Sequence, residues 1–166
     1  AISVLIKNGE PAQLFHSQLA EFTARNKQPL LSLYWQKKVV ENDTTNIEEL
    51  FRCISIALTN DSLTLAEELV TTAERRFGPS DPLTANRAML LIRKKDYDEA
   101  ASSFRMLLSK DTANFGYRLN LAHALSMMPA RERKQEALSL YKSIPAEFGA
   151  QFKVDSLITV LENELR

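Results

Sequence analysis

The chain has 166 residues, 45% of them hydrophobic and 25% charged, with 21 Lys and Arg balancing 21 Asp and Glu. That balance suits one globular domain with a substantial core and argues against disorder as the main state. The zero formal charge argues against a dedicated nucleic-acid binder, which needs a basic excess to neutralise phosphates.

No apolar run reaches the roughly 18–20 residues that cross a bilayer, so no membrane segment is expected. The single cysteine, Cys53, has no internal disulfide partner and too few companions for a zinc site. The compartment is therefore left open between a soluble cytoplasmic and a periplasmic protein. The chain starts at Ala1, and Ile2–Ile6 reads as the end of an element, which suggests a piece of a longer protein.

In chain order, Gly and Pro fall at regular breaks: Gly9, Pro11, Pro29, Gly78 to Pro82, Pro129, Pro145 and Gly149. Between the breaks, apolar residues recur at spacings of three and four, the helical pattern. The expected helices are 11–25, 29–41, 47–59, 63–77, 82–94, 97–109, 115–127, 134–143 and 150–165, joined by short turns that make neighbours antiparallel. Asn46 with Glu49 and Asp96 with Glu99 have capping-box spacing. Asp81-Pro82 reads as a cap before a first-turn proline, and Gly78 as a left-handed stop.

A repeat underlies these helices. Ala66 and Ala100 lie 34 residues apart in similar surroundings, and the pattern returns at Ala137 after roughly three extra residues in the turn 129–134. A small residue lets two helices cross closely, and a bulky one a turn later fills the wedge to the next pair. Ala100 with Phe104 and Ala137 with Tyr141 fit this, and Ala66 with Val70 is a weaker version. Trp35 is assigned the wedge position in the first pair.

The pattern Ala-x-x-x-Phe in the second helix resembles the tetratricopeptide repeat. So do the small residues Ala88 and Ala122 and the large Leu91 and Leu125 in the first helix, Tyr97, and the Lys-Asp-Thr-Ala-Asn turn at 110–114. The family's Trp and Gly near the start of the first helix are missing. The resemblance implies an all-α, right-handed superhelical stack of antiparallel helix pairs, an α-solenoid forming a single domain over 1–166. Its parts would be a divergent pair at 11–46, repeats at 47–80, 81–114 and 115–148, and a capping helix at 149–166. A stack needs such a helix to cover its last apolar face. Val154, Leu157, Ile158, Val160, Leu161 and Leu165 would supply that covering face.

Catalytic chemistry finds little purchase. His16 and His123 are the only histidines, Cys53 sits among apolar neighbours, and no phosphate loop, nucleophile elbow or zinc-protease motif occurs. The chain is read as a non-enzyme with no cofactor, no metal and no small-molecule substrate.

In tetratricopeptide proteins the first helices line a concave groove that binds a peptide or a partner helix. The resemblance therefore implies that Arg52, Asn86 and Asn120 form a polar row along the groove. Ser55, Met89 and His123 would form a second row, and Phe51, Ala85 and Leu119 a third. Polar anchors beside apolar contacts suit peptide binding. A carboxylate clamp of the kind that holds chaperone C-termini is not expected, since only Asn86 fits its pattern. The turn residues Arg131, Arg133 and Lys134 read either as a basic hook for an acidic partner or as a solvated loop. The expected role is a scaffold or adaptor for another protein, of bacterial flavour, in assembling a larger complex. The rivals are a self-associating homo-oligomeric module and an RNA-binding helical repeat.

Overall fold

A computed structural model describes residues 16–41 and 47–166. Every element among them is helical: α1 (His16–Arg25), α2 (Pro29–Glu41), α3 (Ile47–Thr59), α4 (Leu63–Phe77), α5 (Asp81–Lys94), α6 (Tyr97–Lys110), α7 (Phe115–Ser126), α8 (Arg131–Lys142), α9 (Ala146–Gly149), a 3-10 turn at Ala150–Phe152, and α10 (Val154–Glu164). The chain divides into two compact units, Ala1–Asn86 and Arg87–Arg166, with the division falling inside α5. In the first unit, α1 packs on α2 and α3, and α3 packs on both α2 and α4. In the second, α6 packs on α7, α7 on α8, and α8 on α10.

The helix ends follow local chemistry. Glu48 and Glu49 lie in the first turn of α3, where the helix dipole favours carboxylates. Gly78 ends α4 with φ +76° and donates its N–H to the Glu74 carbonyl at 2.9 Å, a conformation glycine takes at little steric cost. The start of α5 differs from expectation: Ser80 rather than Asp81 sits before it, and its Oγ accepts from Leu83 N at 3.4 Å. The capping box of Asp96 and Glu99 does not form, because Asp96 precedes α6 without a side-chain cap bond. Asn46 lies outside the described residues. Asn114 does cap α7, its Oδ1 accepting from Tyr117 N at 3.0 Å.

Two boundaries at the C-terminal end also differ. Helix α8 begins at Arg131, three residues before the expected 134. The expected helix 150–165 is broken at Lys153, whose φ is +54°. Just before the break, Gly149 lies against the start of α10: a Cβ there would be 3.2 Å from Val154 Cβ, so the lack of a side chain lets the two segments meet closely. Val154 and Leu161 of α10 are buried, Leu157, Ile158 and Leu165 are half-buried, and Val160 is exposed. The covering face is thus narrower than the sequence suggests.

The backbone repeats more regularly than the side chains. Lys27, Asp61 and Lys95 take left-handed φ of 55°, 58° and 70°, and they follow one another at 34-residue steps. Each donates its N–H to the carbonyl three residues back, at 3.1, 3.2 and 3.0 Å. The residue after each, Gln28, Ser62 and Asp96, donates to the carbonyl five back, at 2.9, 2.8 and 2.9 Å. This is the paired hydrogen bonding of a Schellman turn, which satisfies the last carbonyls of a helix. The same turn therefore ends α1, α3 and α5.

Burial keeps the same step. Ala20, Ile54, Ala88 and Ala122, each 34 residues from the next, are fully buried in α1, α3, α5 and α7. In the second helices, Ser32, Ala66 and Ala100 are fully buried, as is Ala137 after the inserted turn. Four residues later come Gln36, Val70, Phe104 and Tyr141, again buried. The wedge position of the first pair is therefore Gln36 and not Trp35. Trp35 is half-buried, stacked on His16 at 5.5 Å between ring centroids and met edge-on by Tyr34 at 5.0 Å.

Polar residues at those two positions form a short buried ladder. Gln36 Nε2 donates to Ser32 Oγ at 2.9 Å, and Ser32 Oγ donates to the Ala20 carbonyl at 3.0 Å, tying α2 to α1. Gln36 Oε1 is buried without a partner, and an unsatisfied buried acceptor is costly. Gln36→Leu is expected to raise stability by about 1 kcal/mol in a urea titration. A fall in stability would show that the amide holds the pair together better than it penalises it.

In the second unit, Arg105 forks onto Glu136 with both contacts at 2.7 Å. Lys134 and Lys142 of α8 reach Glu164 and Glu162 of α10, each at 2.7 Å, and Arg131 donates to the Leu165 carbonyl. Glu162 has its carboxyl pKa held low by the Lys142 bond and charge. Exposed pairs of this kind add little each, so burial of Val154 and Leu161 is the main force holding α10 on α8.

Candidate binding surface

Helices α3, α5 and α7 carry the three rows expected to line a groove. Arg52 is exposed on α3, while Asn86 and Asn120 are part-exposed on α5 and α7. Both asparagines spend an amide N–H on their own helix. Asn86 Nδ2 donates to the Pro82 carbonyl at 2.9 Å and Asn120 Nδ2 to the Gly116 carbonyl at 3.0 Å. Each amide is thereby pinned, which fixes its remaining oxygen as an acceptor and lowers the entropy lost when a partner binds.

The rows are divided between the two units. Arg52, Asn86, Ser55, Phe51 and Ala85 belong to the first, and Asn120, Met89, His123 and Leu119 to the second. Phe51, Ala85 and Leu119 are half-buried. Ser55 is exposed and borders a cleft of about 250 Å³ between α1 and α3, with Glu21, Ala24, Arg25, Ile56 and Thr59. Glu21 and Arg25 pair with each other across one turn of α1. Asn60, on the same cleft, has a buried Nδ2 without a hydrogen-bond partner.

Electrostatics separate His123 from Cys53. Burial lowers the His123 pKa, and the positive charge of Arg93 lowers it further, so both disfavour the charged imidazole. Cys53 is fully buried and its thiol is pushed up to about 12, chiefly by burial and then by Glu49, with Arg52 opposing. A thiol so far from ionising is a poor nucleophile. Among the described residues no group of three or more His, Cys, Asp and Glu converges as metal ligands. No helix among them is long and apolar enough to cross a membrane.

The basic turn resolves in favour of intramolecular contacts. Arg131 and Lys134 hold α10 as described above, and Arg133 reaches Glu136 at 3.5 Å. Met127, just before that turn, remains 50% exposed.

No family model matches the chain, and no curated protein does.

A larger cleft in the first unit, of about 580 Å³, is lined by Leu33, Tyr34, Leu63, Leu65, Asp61 and Glu68. It lies between α2 and the start of α4. The adjacent aromatics Tyr34 and Trp35 were its only signal. Tyr34 stays 50% exposed, with Lys38 over its ring at 5.8 Å. The sequence also gave no sign of the aromatic run at the C-terminal end. There Phe115, Phe148 and Phe152 stand at centroid spacings of 5.8 and 5.1 Å, with Arg118 over Phe115 at 5.3 Å.

Proposed function

We propose that this chain is a protein-binding scaffold of tetratricopeptide type, in which the first helices of successive pairs present a groove to an extended segment or helix of another protein. The observation that carries the reading is the recurrence of one left-handed turn at Lys27, Asp61 and Lys95. Two equal steps of 34 residues match the period of that repeat, and they extend the period into the first pair, where side chains alone had obscured it. The buried small residues Ala20, Ala88 and Ala122 agree, since they allow close approach of helices.

The reading is of a binding rather than a catalytic protein, and the burial and raised pKa of the one thiol support it. What the first helices offer instead is a set of pinned amides and part-exposed apolar side chains, which suits recognition of a peptide backbone.

The test is capture. The full chain, immobilised, is expected to retain a specific protein from its native lysate, and Asn86→Ala with Asn120→Ala is expected to weaken that capture by about tenfold, two lost hydrogen bonds at roughly 0.5–1.5 kcal/mol each. Undiminished capture by the double variant removes these asparagines from the site. Sedimentation velocity on the same protein checks the rival reading, because self-association at micromolar concentration would make a second copy the partner.

A further inference from the structure

Three phenylalanines of the second unit form a run that leads from its packed interior to solvent. Phe115 opens α7, Phe148 lies in the short helix α9, and Phe152 lies in the 3-10 turn that follows. Their rings succeed one another at centroid distances of 5.8 and 5.1 Å, both pairs tilted, within the range where aromatic rings attract. Phe115 and Phe148 are half-buried, and Phe152 is 47% exposed. The backbone that carries the outer two rings is held from behind. Phe148 and Gly149 both donate to the Pro145 carbonyl, at 3.0 and 2.8 Å, and Gly149 is buried against the start of α10.

Arg118 stands at the inner end of the run. It lies one turn along α7 from Phe115, with Cζ 5.3 Å from that ring's centroid. Its Nη1 donates to the Ser143 carbonyl at 3.2 Å and its Nη2 to the Thr112 carbonyl at 2.6 Å. Two neutral carbonyls and a ring therefore fix the guanidinium, and among the described residues no carboxylate pairs with it. A guanidinium has more N–H donors than these two bonds use. The surrounding charges do not cancel it. Helix α7 carries no carboxylate, Glu147 and Lys153 of the segment 146–153 have opposite signs, and Asp111 accepts from Asn114 Nδ2 at 3.2 Å.

We propose that Arg118 with Phe115, Phe148 and Phe152 docks a segment of a partner protein that carries a carboxylate close to an aromatic side chain. The carboxylate meets the donors that Arg118 has left, and the partner's ring packs on the outer end of the aromatic run. A planar guanidinium suits a carboxylate because it can offer two parallel N–H bonds. Its contacts to Ser143, Thr112 and Phe115 hold it in place before the partner arrives, so little side-chain freedom is lost on binding. Charge complementarity sets the partner's sign. The ring spacings set the distance from acid to aromatic residue, which an extended chain covers within about four residues. This surface uses neither Asn86 nor Asn120, and it stands apart from the groove reading.

A random dodecapeptide phage library tests this, panned on the immobilised full chain after clearing on its Phe152→Ser variant. Phe152 is half exposed, so the variant keeps the fold, and clearing removes peptides that bind elsewhere. Enriched peptides are expected to carry Asp or Glu within about four residues of Phe, Tyr or Trp. The best of them, made synthetically with a fluorophore, is expected to lose about tenfold in affinity with Arg118→Gln. Arg118→Lys should cost less, since it keeps the charge without the fork. Phe152→Ser is expected to weaken binding several-fold, and Asn86→Ala with Asn120→Ala to leave it unchanged. Circular dichroism confirms that each variant is folded.

Enriched peptides without an acidic residue would overturn the proposal, as would an affinity that neither Arg118→Gln nor Phe152→Ser reduces. Peptides that the asparagine double variant no longer binds, but that are indifferent to Arg118→Gln, would belong to the groove and overturn it too. Failure to enrich any peptide after clearing would remove this surface and leave the groove reading standing. Self-association of the chain that Phe152→Ser dissolves would give the surface to a second copy, which also overturns the proposal.

Discussion

Phe104→Ala is expected to lower the stability of the chain by about 3–5 kcal/mol, the range for emptying a fully buried aromatic position. Phe104 has no exposed surface and its ring lies 6.4 Å from that of Tyr117 on the neighbouring helix α7. Truncation removes the wedge between α6 and α7 and leaves a cavity that two helices held at fixed turns cannot easily close. Urea denaturation followed by circular dichroism measures it. A loss under about 1 kcal/mol would mean that the site collapses and that the wedge is not a principal support. Val70, the residue at the same step in α4, is also fully buried but smaller, so Val70→Ala should cost visibly less than the phenylalanine change.

Ala100→Leu is the complementary test, since it adds volume where Phe104→Ala removes it. Ala100 is fully buried one turn before Phe104. A leucine there must push a packed helix away or adopt a strained rotamer, and about 1–3 kcal/mol is expected to be lost, with more if the backbone cannot shift. Ser102→Leu is the control, because Ser102 is exposed on the same helix and should change little. The two core changes are one turn apart and therefore coupled. Combining Ala100→Leu with Phe104→Ala should cost less than the separate losses added together, since the new side chain can occupy part of the new cavity. Strict additivity would indicate that the two positions do not share one packing site.

The sequence was most legible where burial and residue type agree. From Ile47 to Ser126 every helix lies within a residue of its expected span, because apolar residues there recur at three and four and the turns are short. The first pair was obscured for a specific reason. Its two repeat positions are Ser32 and Gln36, polar residues that are nonetheless fully buried, so the pattern of a small residue followed by a large apolar one points to Trp35 next door. The C-terminal end misled differently. Apolar spacing from 150 to 165 is compatible with one continuous helix, and it carries no mark of the left-handed backbone at Lys153 that divides the segment.

The candidate surface was legible by register rather than by chemistry. Counting 34 residues puts Met89 and His123 on α5 and α7, but spacing could not show that both asparagines bond their own backbone. Those contacts depend on how far a long side chain extends and on which acceptor lies nearest. The capping box of Asp96 and Glu99 failed for the same kind of reason, as the spacing permits the bond without compelling it.

The recurring turns carry one more consequence. Each is made by a residue with a side chain in a conformation that glycine adopts with less steric strain, and Lys27, Asp61 and Lys95 are all exposed. The strain is therefore not needed to bury anything at those positions. A chain built this way holds stability in reserve at its turns, to be released one turn at a time by relaxing a single surface residue, while the buried positions stay as they are.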